Sequence, residues 1–272
     1  MIAKPGRTNR TVRQTSTTSV KTADAYKSAL TTAGDPTPYL LKHGGLPGPR
    51  ANLELARLAA DVCTGSQARR WAGLDCRAAP TGSAQEFLAM CGVLGLGRLL
   101  VEGDDQALAD LRHYANDCRW RVREAVAMAL QRWGAANFSA LFDAMSTWAS
   151  GSLLERRAAS AAVCEPALLT DTERVMKALA VLEQSTSALL SSDPSQRRSE
   201  DFKALRKGLG YCWSVAVAAD FAAARPAFEA LVGQASSTRD RDLLRIAREN
   251  LRKHRLRRLD PRWTASQLER LQ

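Results

Sequence analysis

The chain has 272 residues, of which 45% are hydrophobic and 6% are aromatic, and its formal net charge is +11 at pH 7. A chain of this length and composition can bury a substantial core, either as one large domain or as one continuous repeat array. Alanine and leucine dominate while aromatic residues are few. This composition favours close-packed helices and argues against a β-sandwich, in which β-branched and aromatic residues are enriched.

The sequence predicts no targeting segment, no membrane span and no metal site. The longest mainly apolar stretch, residues 87–101, is shorter than the roughly 18 residues that a spanning helix needs and contains Arg98. The first residues are polar and basic, so we expect no secretory signal. Because the six cysteines are scattered and the three histidines lie far apart, we expect a reducing, cytoplasmic environment and no cofactor. Four cysteines in apolar contexts are predicted core residues: Cys63, Cys91, Cys164 and Cys212.

The beginning of the chain has few large apolar residues. Residues 1–34 are rich in Thr, Ser, Lys and Arg, which predicts a flexible basic tail. The glycines and prolines of residues 44–49 predict the turn that enters the folded body. Pro49 is expected at an early helical position, ahead of an apolar period from Leu53 to Val62. A second, short helix should then run through Trp71.

From there, helices and short breaks alternate. The apolar periodicity predicts helices over about residues 83–101, 104–116, 119–133, 136–149, 152–164, 171–190, 200–219, 222–235 and 238–256. Breaks of a few residues imply that consecutive helices are antiparallel neighbours. No segment alternates with a period of two, so we predict no strand.

Self-similar stretches indicate a repeat array rather than a helix bundle. Residues 120–130 and 154–164 both place basic residues in a first helical turn and small apolar residues behind them. Further copies are predicted near Phe202 and Leu243. The matching arginines are Arg123, Arg157, Arg206 and Arg245, which are 34, 49 and 39 residues apart. These intervals scatter around the ~40–47 residues of HEAT-type units. The longest interval holds the polar loop Ser191–Ser199.

The run Asp117–Leu130, DCRWRVREAVAMAL, resembles the second helix of a HEAT repeat. It is particularly similar to repeats of the bacterial HEAT-like DNA alkylation-repair proteins, the alkylpurine glycosylases and their relatives. In that superfamily an aspartate begins the helix and a W-x-V-R-x-A pattern follows. The resemblance is close over this repeat and looser over about residues 104–256. Residues 45–55 and 209–214 also resemble uncharacterised bacterial HEAT-repeat proteins.

The resemblance implies an all-α, armadillo-like fold. It would be a right-handed α-solenoid of HEAT-like antiparallel helix pairs over residues 35–262, followed by a short C-terminal extension at residues 263–272. It also makes a DNA glycosylase-like alkylation-repair enzyme an alternative function. The resembled enzymes place an aspartate and aromatic residues around a cationic nucleoside. No tryptophan of this chain matches that pattern, so no catalytic residue is carried over, and we expect these residues to pack between repeats: Trp71, Trp148 and Trp213.

Positive charge is concentrated towards the two ends of the sequence. Residues 1–34 hold six basic residues and one acidic residue, and residues 239–262 hold ten basic and four acidic ones. The rest of the chain holds 23 of each. Ten basic residues near one helix exceed what its dipole favours, so we expect an anionic partner there. Nucleic acid is favoured over a membrane because the apolar stripe of that helix is needed for packing.

Two sets of basic residues are therefore candidates for binding nucleic acid. Those in the first turns of helices could line one concave surface and hold phosphates, or each could pair with a neighbouring acid and cover apolar surface. The second set lies on the predicted terminal helix. The candidates are Arg119, Arg121, Arg123, Arg156, Arg157, Arg206, Lys207, Arg245, Arg248, Arg252 and Lys253. We predict a non-catalytic HEAT-repeat protein that binds DNA, another polyanion or an acidic protein; a protein–protein assembly scaffold is a second alternative.

Overall fold

The computed structural model describes residues 23–32 and 34–272. The described residues are 76% helical and contain no strand, which confirms the all-α prediction. The helices are α1 (residues 23–32), α2 (Thr37–His43), α3 (Leu53–Val62), α4 (Gly65–Ala72), α5 (Ala84–Val101), α6 (Gln106–Ala115), α7 (Trp120–Ala136), α8 (Phe138–Trp148), α9 (Leu153–Val163), α10 (Thr172–Leu190), α11 (Glu200–Ala219), α12 (Phe221–Thr238), α13 (Arg241–Leu251), α14 (His254–Leu259) and α15 (Pro261–Glu269).

Helices α5 to α12 match the predicted ones to within three residues at each end. Local capping explains why these boundaries could be predicted. Ser152 accepts a hydrogen bond from the Glu155 amide, and the Glu155 carboxylate accepts one from the Ser152 amide in return. The Asp171 carboxylate caps α10 by accepting a hydrogen bond from the Arg174 amide, and Asp220 caps α12 through the Ala223 amide.

The N-terminal region differs from the prediction in two respects. Residues 23–32 form a helix with Leu30 buried, although they were expected to belong to a flexible tail; residues 1–22 lie outside the described part of the chain. Pro49 does not begin a helix. Asn52 caps α3 instead, because its side-chain oxygen accepts a hydrogen bond from the Leu55 amide at 3.1 Å.

The C-terminal region also differs from the prediction in two respects. The single helix expected over about residues 238–256 is divided into α13 and α14 at Arg252 and Lys253. The expected extension at residues 263–272 is largely helix α15, with Trp263 and Leu271 buried. These two apolar side chains pack the segment against the rest of the second unit. The basic residues of the region received more weight in the sequence prediction than these two apolar ones.

The chain divides into two compact units, and the boundary falls inside α5 after Gly95. In the first unit, α4 and α5 approach closely at Gly92. A Cβ at this position would lie 2.6 Å from the Ala68 carbonyl oxygen and closer still to the Ala72 nitrogen. The absence of a side chain at Gly92 therefore permits the close approach of the two helices. Trp71 is buried and donates a hydrogen bond from Nε1 to Thr37 Oγ1.

Helix α5 is long and apolar enough, by length and composition, to cross a membrane. The burial of its side chains is nonetheless that of a core helix, since 78% of the segment is buried inside the protein. Buried core helices of folded domains share this composition. In this structure the apolar surface of α5 is therefore used for packing.

The second unit is arranged as two sets of neighbouring helices. Helices α7, α9, α11 and α13 contact one another in that order, and α8, α10 and α12 form a similar series against them. A buried amide joins the last two members of the first series. Asn250 on α13 accepts a hydrogen bond from the Ser214 amide at 2.8 Å and donates one to the Leu209 carbonyl at 2.9 Å, so it fixes α13 against α11.

A carboxylate in this unit should make stability depend on pH. Burial raises the pKa of Glu155, but hydrogen bonds from Arg112, Asn116 and the Ser152 amide outweigh it, so the pKa is lowered overall. A lowered folded-state pKa stabilises the protein above the unfolded value of about 4.3, and this contribution is lost as the pH falls through the folded value. We expect Glu155→Gln to lower the urea midpoint at neutral pH and to flatten its decline between about pH 5 and pH 3. Parallel declines in variant and wild type would contradict the assignment.

Candidate nucleic-acid interface

A groove of about 770 Å³ lies in the second unit, between side chains of α7, α9, α11 and α13. The structure brings six of the eleven candidate residues together along it: Arg123, Arg157, Arg206, Lys207, Arg245 and Lys253. They include the four arginines that were matched between the sequence repeats. Each of these four lies on a different helix of the series, which is why intervals of 34 to 49 residues bring them to one surface.

The spacing within each helix explains how the groove is lined. Residues four apart lie on the same face of a helix. Lys203, Lys207 and Tyr211 follow this spacing on α11, and Arg245 and Glu249 follow it on α13. The side chains on the opposite faces of these helices are buried and pack against the neighbouring helices.

Acidic residues neutralise part of this surface. Lys203 pairs with Glu200 at 2.6 Å, Arg245 pairs with Glu249 at 2.8 Å, and Glu124 accepts a hydrogen bond from Arg157. With Glu165, four acidic residues line the groove against seven basic ones. The alternative of local pairing is thus correct for several single arginines, while the groove as a whole keeps an excess of positive charge.

Two arginines that line the groove, Arg123 and Arg157, are close to each other. Arg157 donates a hydrogen bond from Nη1 to the Arg123 carbonyl at 3.0 Å. Arg123 donates to the carbonyls of Asp117 and Cys118. Burial lowers the pKa of Arg123, and the positive charge of Arg157 lowers it further. An anion that entered the groove would relieve this repulsion.

Arg206 pairs with a buried carboxylate that does not itself line the groove. Its Nη1 atom donates to Asp242 Oδ1 at 2.7 Å, and the carboxylate of Asp242 is only 2% exposed. Arg197, from the Ser191–Ser199 loop, pairs with both Asp240 and Asp242. Burial raises the pKa of Asp240, but hydrogen bonds from the Leu243 amide and Arg197 outweigh it and lower the pKa overall.

The remaining candidate residues lie outside the groove. Arg119 is 1% exposed and pairs with Asp117 at 2.7 Å, so its expected role at a phosphate is wrong: burial removes it from any ligand. Arg156 donates to the carbonyls of Ala149 and Ser150, and Arg248 donates to the Leu271 carbonyl. These two guanidiniums join segments of backbone.

The other two candidates, Arg121 and Arg252, remain at the surface. The Arg121 guanidinium lies over the Trp120 ring, 4.4 Å from its centroid. Arg252 follows α13 and lines a separate pocket with Arg257 and Arg258. The predicted terminal cluster is therefore divided, since only Arg245 and Lys253 of its candidates reach the groove.

Two aromatic residues of the groove were not among the candidates. Trp120 is 51% exposed and Tyr211 is 45% exposed, whereas Trp71, Trp148 and Trp213 are buried, as predicted. Spacing could have revealed both exposed rings. Trp120 lies three and four residues before Arg123 and Glu124, and Tyr211 lies four residues after Lys207, so each shares a helix face with charged residues.

Comparison with known proteins gives no match for this chain among protein-family models, curated proteins or solved structures. The similarity to HEAT-like alkylation-repair proteins therefore depends on the sequence motif alone. Function must be argued from the chemistry of the groove.

Cys164 is a poor candidate for a nucleophile in the groove. Cys164 and Cys212 line it but are buried, in agreement with their prediction as core residues. Burial raises the pKa of Cys164 well above its ordinary value, and the neighbouring Cys212 thiol raises it further. A thiol with a raised pKa stays protonated at neutral pH and is a poor nucleophile.

Proposed function

We propose that the protein is a non-catalytic HEAT-repeat binding module that engages nucleic acid through the groove. The observation that carries the proposal is the convergence of basic side chains from the four helices α7, α9, α11 and α13 on one surface. Phosphate contacts need Arg or Lys side chains but no base-specific geometry, and seven such side chains line the groove. Their excess over acidic residues favours a polyanion as ligand.

We further propose that the second unit is a right-handed α-solenoid of antiparallel helix pairs. The two series of neighbouring helices support this arrangement, because stacked pairs place one helix of each pair in each layer. Helices α7, α9, α11 and α13 would then form the concave layer, where solenoid proteins hold extended ligands.

The test is salt-dependent binding of fluorescently labelled oligonucleotides, followed by anisotropy. We expect Lys203→Glu/Arg245→Glu to weaken binding by about 10- to 100-fold and to reduce the slope of log K against log salt by about 1.4 to 1.8, the value for two phosphate contacts. Both side chains are substantially exposed, at 47% and 58%, and pair only with a glutamate of their own helix among the ion pairs of the described residues. The fold should therefore persist.

The matched control is Lys177→Glu/Arg225→Glu on α10 and α12. This pair also loses one Lys–Glu and one Arg–Glu contact within a helix and changes the net charge equally. We expect its affinity to stay within about twofold of wild type, because screening limits the reach of charges outside the groove. Equal losses in both variants would contradict a groove-centred interface.

The glycosylase alternative stays a prediction. No catalytic residue was carried over from the resembled enzymes, and the groove geometry supports binding more directly than chemistry. Release of alkylpurine from treated DNA by the purified protein is its test. Release by wild type that is lost together with groove binding would make the protein an enzyme rather than a binding module.

A further inference from the structure

The aromatic residues of the groove are unusual in their exposure. Six large apolar side chains of the described residues are exposed, and only two of these are aromatic: Trp120 and Tyr211. Both line the groove, one near the beginning of α7 and the other in the middle of α11. Exposed rings contribute little to the core, so their position beside the basic residues points to contact with a ligand.

Cationic side chains lie against both rings. The Arg121 guanidinium lies 4.4 Å from the centroid of Trp120, and the Arg255 guanidinium lies 4.6 Å from that of Tyr211. Arg255 also donates a hydrogen bond to the Tyr211 hydroxyl, and Lys253 Nζ lies 5.3 Å from the same ring. A guanidinium held against a ring, as Arg255 is, directs its N–H groups away from the ring face, towards atoms at the ring edge. Each exposed ring of the groove therefore has positive charge against it, although Arg121 and Arg255 themselves lie just outside the residues that line the groove.

A nucleotide presents the complementary pair of groups, a flat base and a phosphate one sugar away. We propose, as a refinement that rests on the proposed nucleic-acid function, that the groove binds a single strand. One unpaired base stacks on the part of the Trp120 ring that Arg121 leaves open, and another stacks on the part of Tyr211 that Lys253 and Arg255 leave open. The neighbouring phosphates contact the basic residues of the groove. Base–aromatic stacking with a basic path for the backbone is the general way in which proteins hold single strands without reading sequence.

A duplex and an acidic protein fit these sites less well. In a duplex the faces of the bases are covered by their neighbours, so the two rings would contribute nothing beyond phosphate contacts. An acidic protein surface supplies carboxylates but no regular series of planar groups. The two aromatic sites therefore select single-stranded nucleic acid among polyanions.

The experiment compares three labelled ligands with the full-length protein at one salt concentration. They are an oligothymidylate of about 12 nucleotides, a duplex of the same length, and a single strand of the same length made of abasic residues. We expect the oligothymidylate to bind at least about 10-fold more tightly than the abasic strand, which has the same phosphates but nothing to stack. The duplex should resemble the abasic strand after correction for its charge.

Variants of the two aromatic residues test whether the rings cause the preference for the oligothymidylate. Trp120→Ala and Tyr211→Ala should each weaken oligothymidylate binding by about 5- to 150-fold, the loss for one stacked base, and leave abasic-strand binding unchanged. Trp120→Phe should restore most of the loss because it keeps a ring. Met176→Ala is the control, since Met176 is also 51% exposed but lies on α10 outside the groove.

The outcomes separate this inference from the function on which it rests. Equal affinity for the oligothymidylate and the abasic strand, or tighter binding of the duplex, would overturn base stacking while leaving a phosphate-binding groove. Absence of binding to all three ligands at low salt would overturn the proposed function itself. Far-UV circular dichroism of each variant checks that the fold is intact.

Discussion

Asp242→Ala should lower the free energy of unfolding by about 3 kcal/mol, because it leaves two guanidiniums without a buried carboxylate. Asp242 is 2% exposed, and it accepts hydrogen bonds from Arg206 at 2.7 Å and from Arg197 at 3.3 Å. Arg197 keeps Asp240 as a second partner. Arg206, whose side chain is 16% exposed, would instead be left largely desolvated.

Urea denaturation followed by circular dichroism measures this effect. Glu200→Ala is the matched control, because it also removes a carboxylate from a Lys or Arg pair, but the Glu200 side chain is 86% exposed. Surface pairs contribute little, so we expect the urea midpoint of this variant to stay close to that of wild type. Similar losses in the two variants would show that the Asp242 network is not the buried support that the structure indicates.

Gly92→Val should be comparably damaging for a steric reason. Because the Cβ would lie 2.6 Å from the Ala68 carbonyl oxygen, and the obstacle is helix backbone, α4 and α5 would have to separate. Overpacking of this kind costs roughly 3 kcal/mol, near the upper end of its usual range. A lower urea midpoint and thermal midpoint are the expected readouts.

Gly233→Ala should instead increase the stability of the protein. Gly233 lies inside α12, and a Cβ there would meet only the end of the Arg270 side chain at 3.5 Å. Alanine in an open helical position is favoured over glycine by about 0.5 to 1 kcal/mol. We therefore expect a slightly more stable protein. Stabilisation by Gly92→Val would contradict the close approach of the two helices.

Local signals made much of the helical fold predictable. Capping residues such as Ser152 and Asp220, together with apolar periodicity, locate helix boundaries because both act within a few residues. The break between α13 and α14 was missed because basic residues continue through it without a glycine or proline. A neighbouring helix, rather than a local breaker, accommodates that break: Lys253 and Arg255 lie against Tyr211 of α11.

The candidate site was less predictable for a related reason. Repeat spacing identified the arginines that share a surface, since it reflects the stacking of similar units. It could not distinguish Arg123, at the groove, from the buried Arg119, because both are basic residues near the same helix start. Which of two such side chains turns inward depends on Asp117, whose carboxylate receives Arg119.

Arginines near helix starts also form hydrogen bonds with backbone carbonyls of the preceding segment. Arg123, Arg156, Arg174 and Arg197 each donate to a carbonyl five to seven residues earlier. Several of these guanidiniums reach two carbonyls at once, which the compact ammonium of lysine cannot do with the same planar geometry. A variant with every such arginine replaced by lysine would keep its net charge but lose these hydrogen bonds to pairs of carbonyls. For this protein, the identity of the basic residue matters as much as the charge it carries.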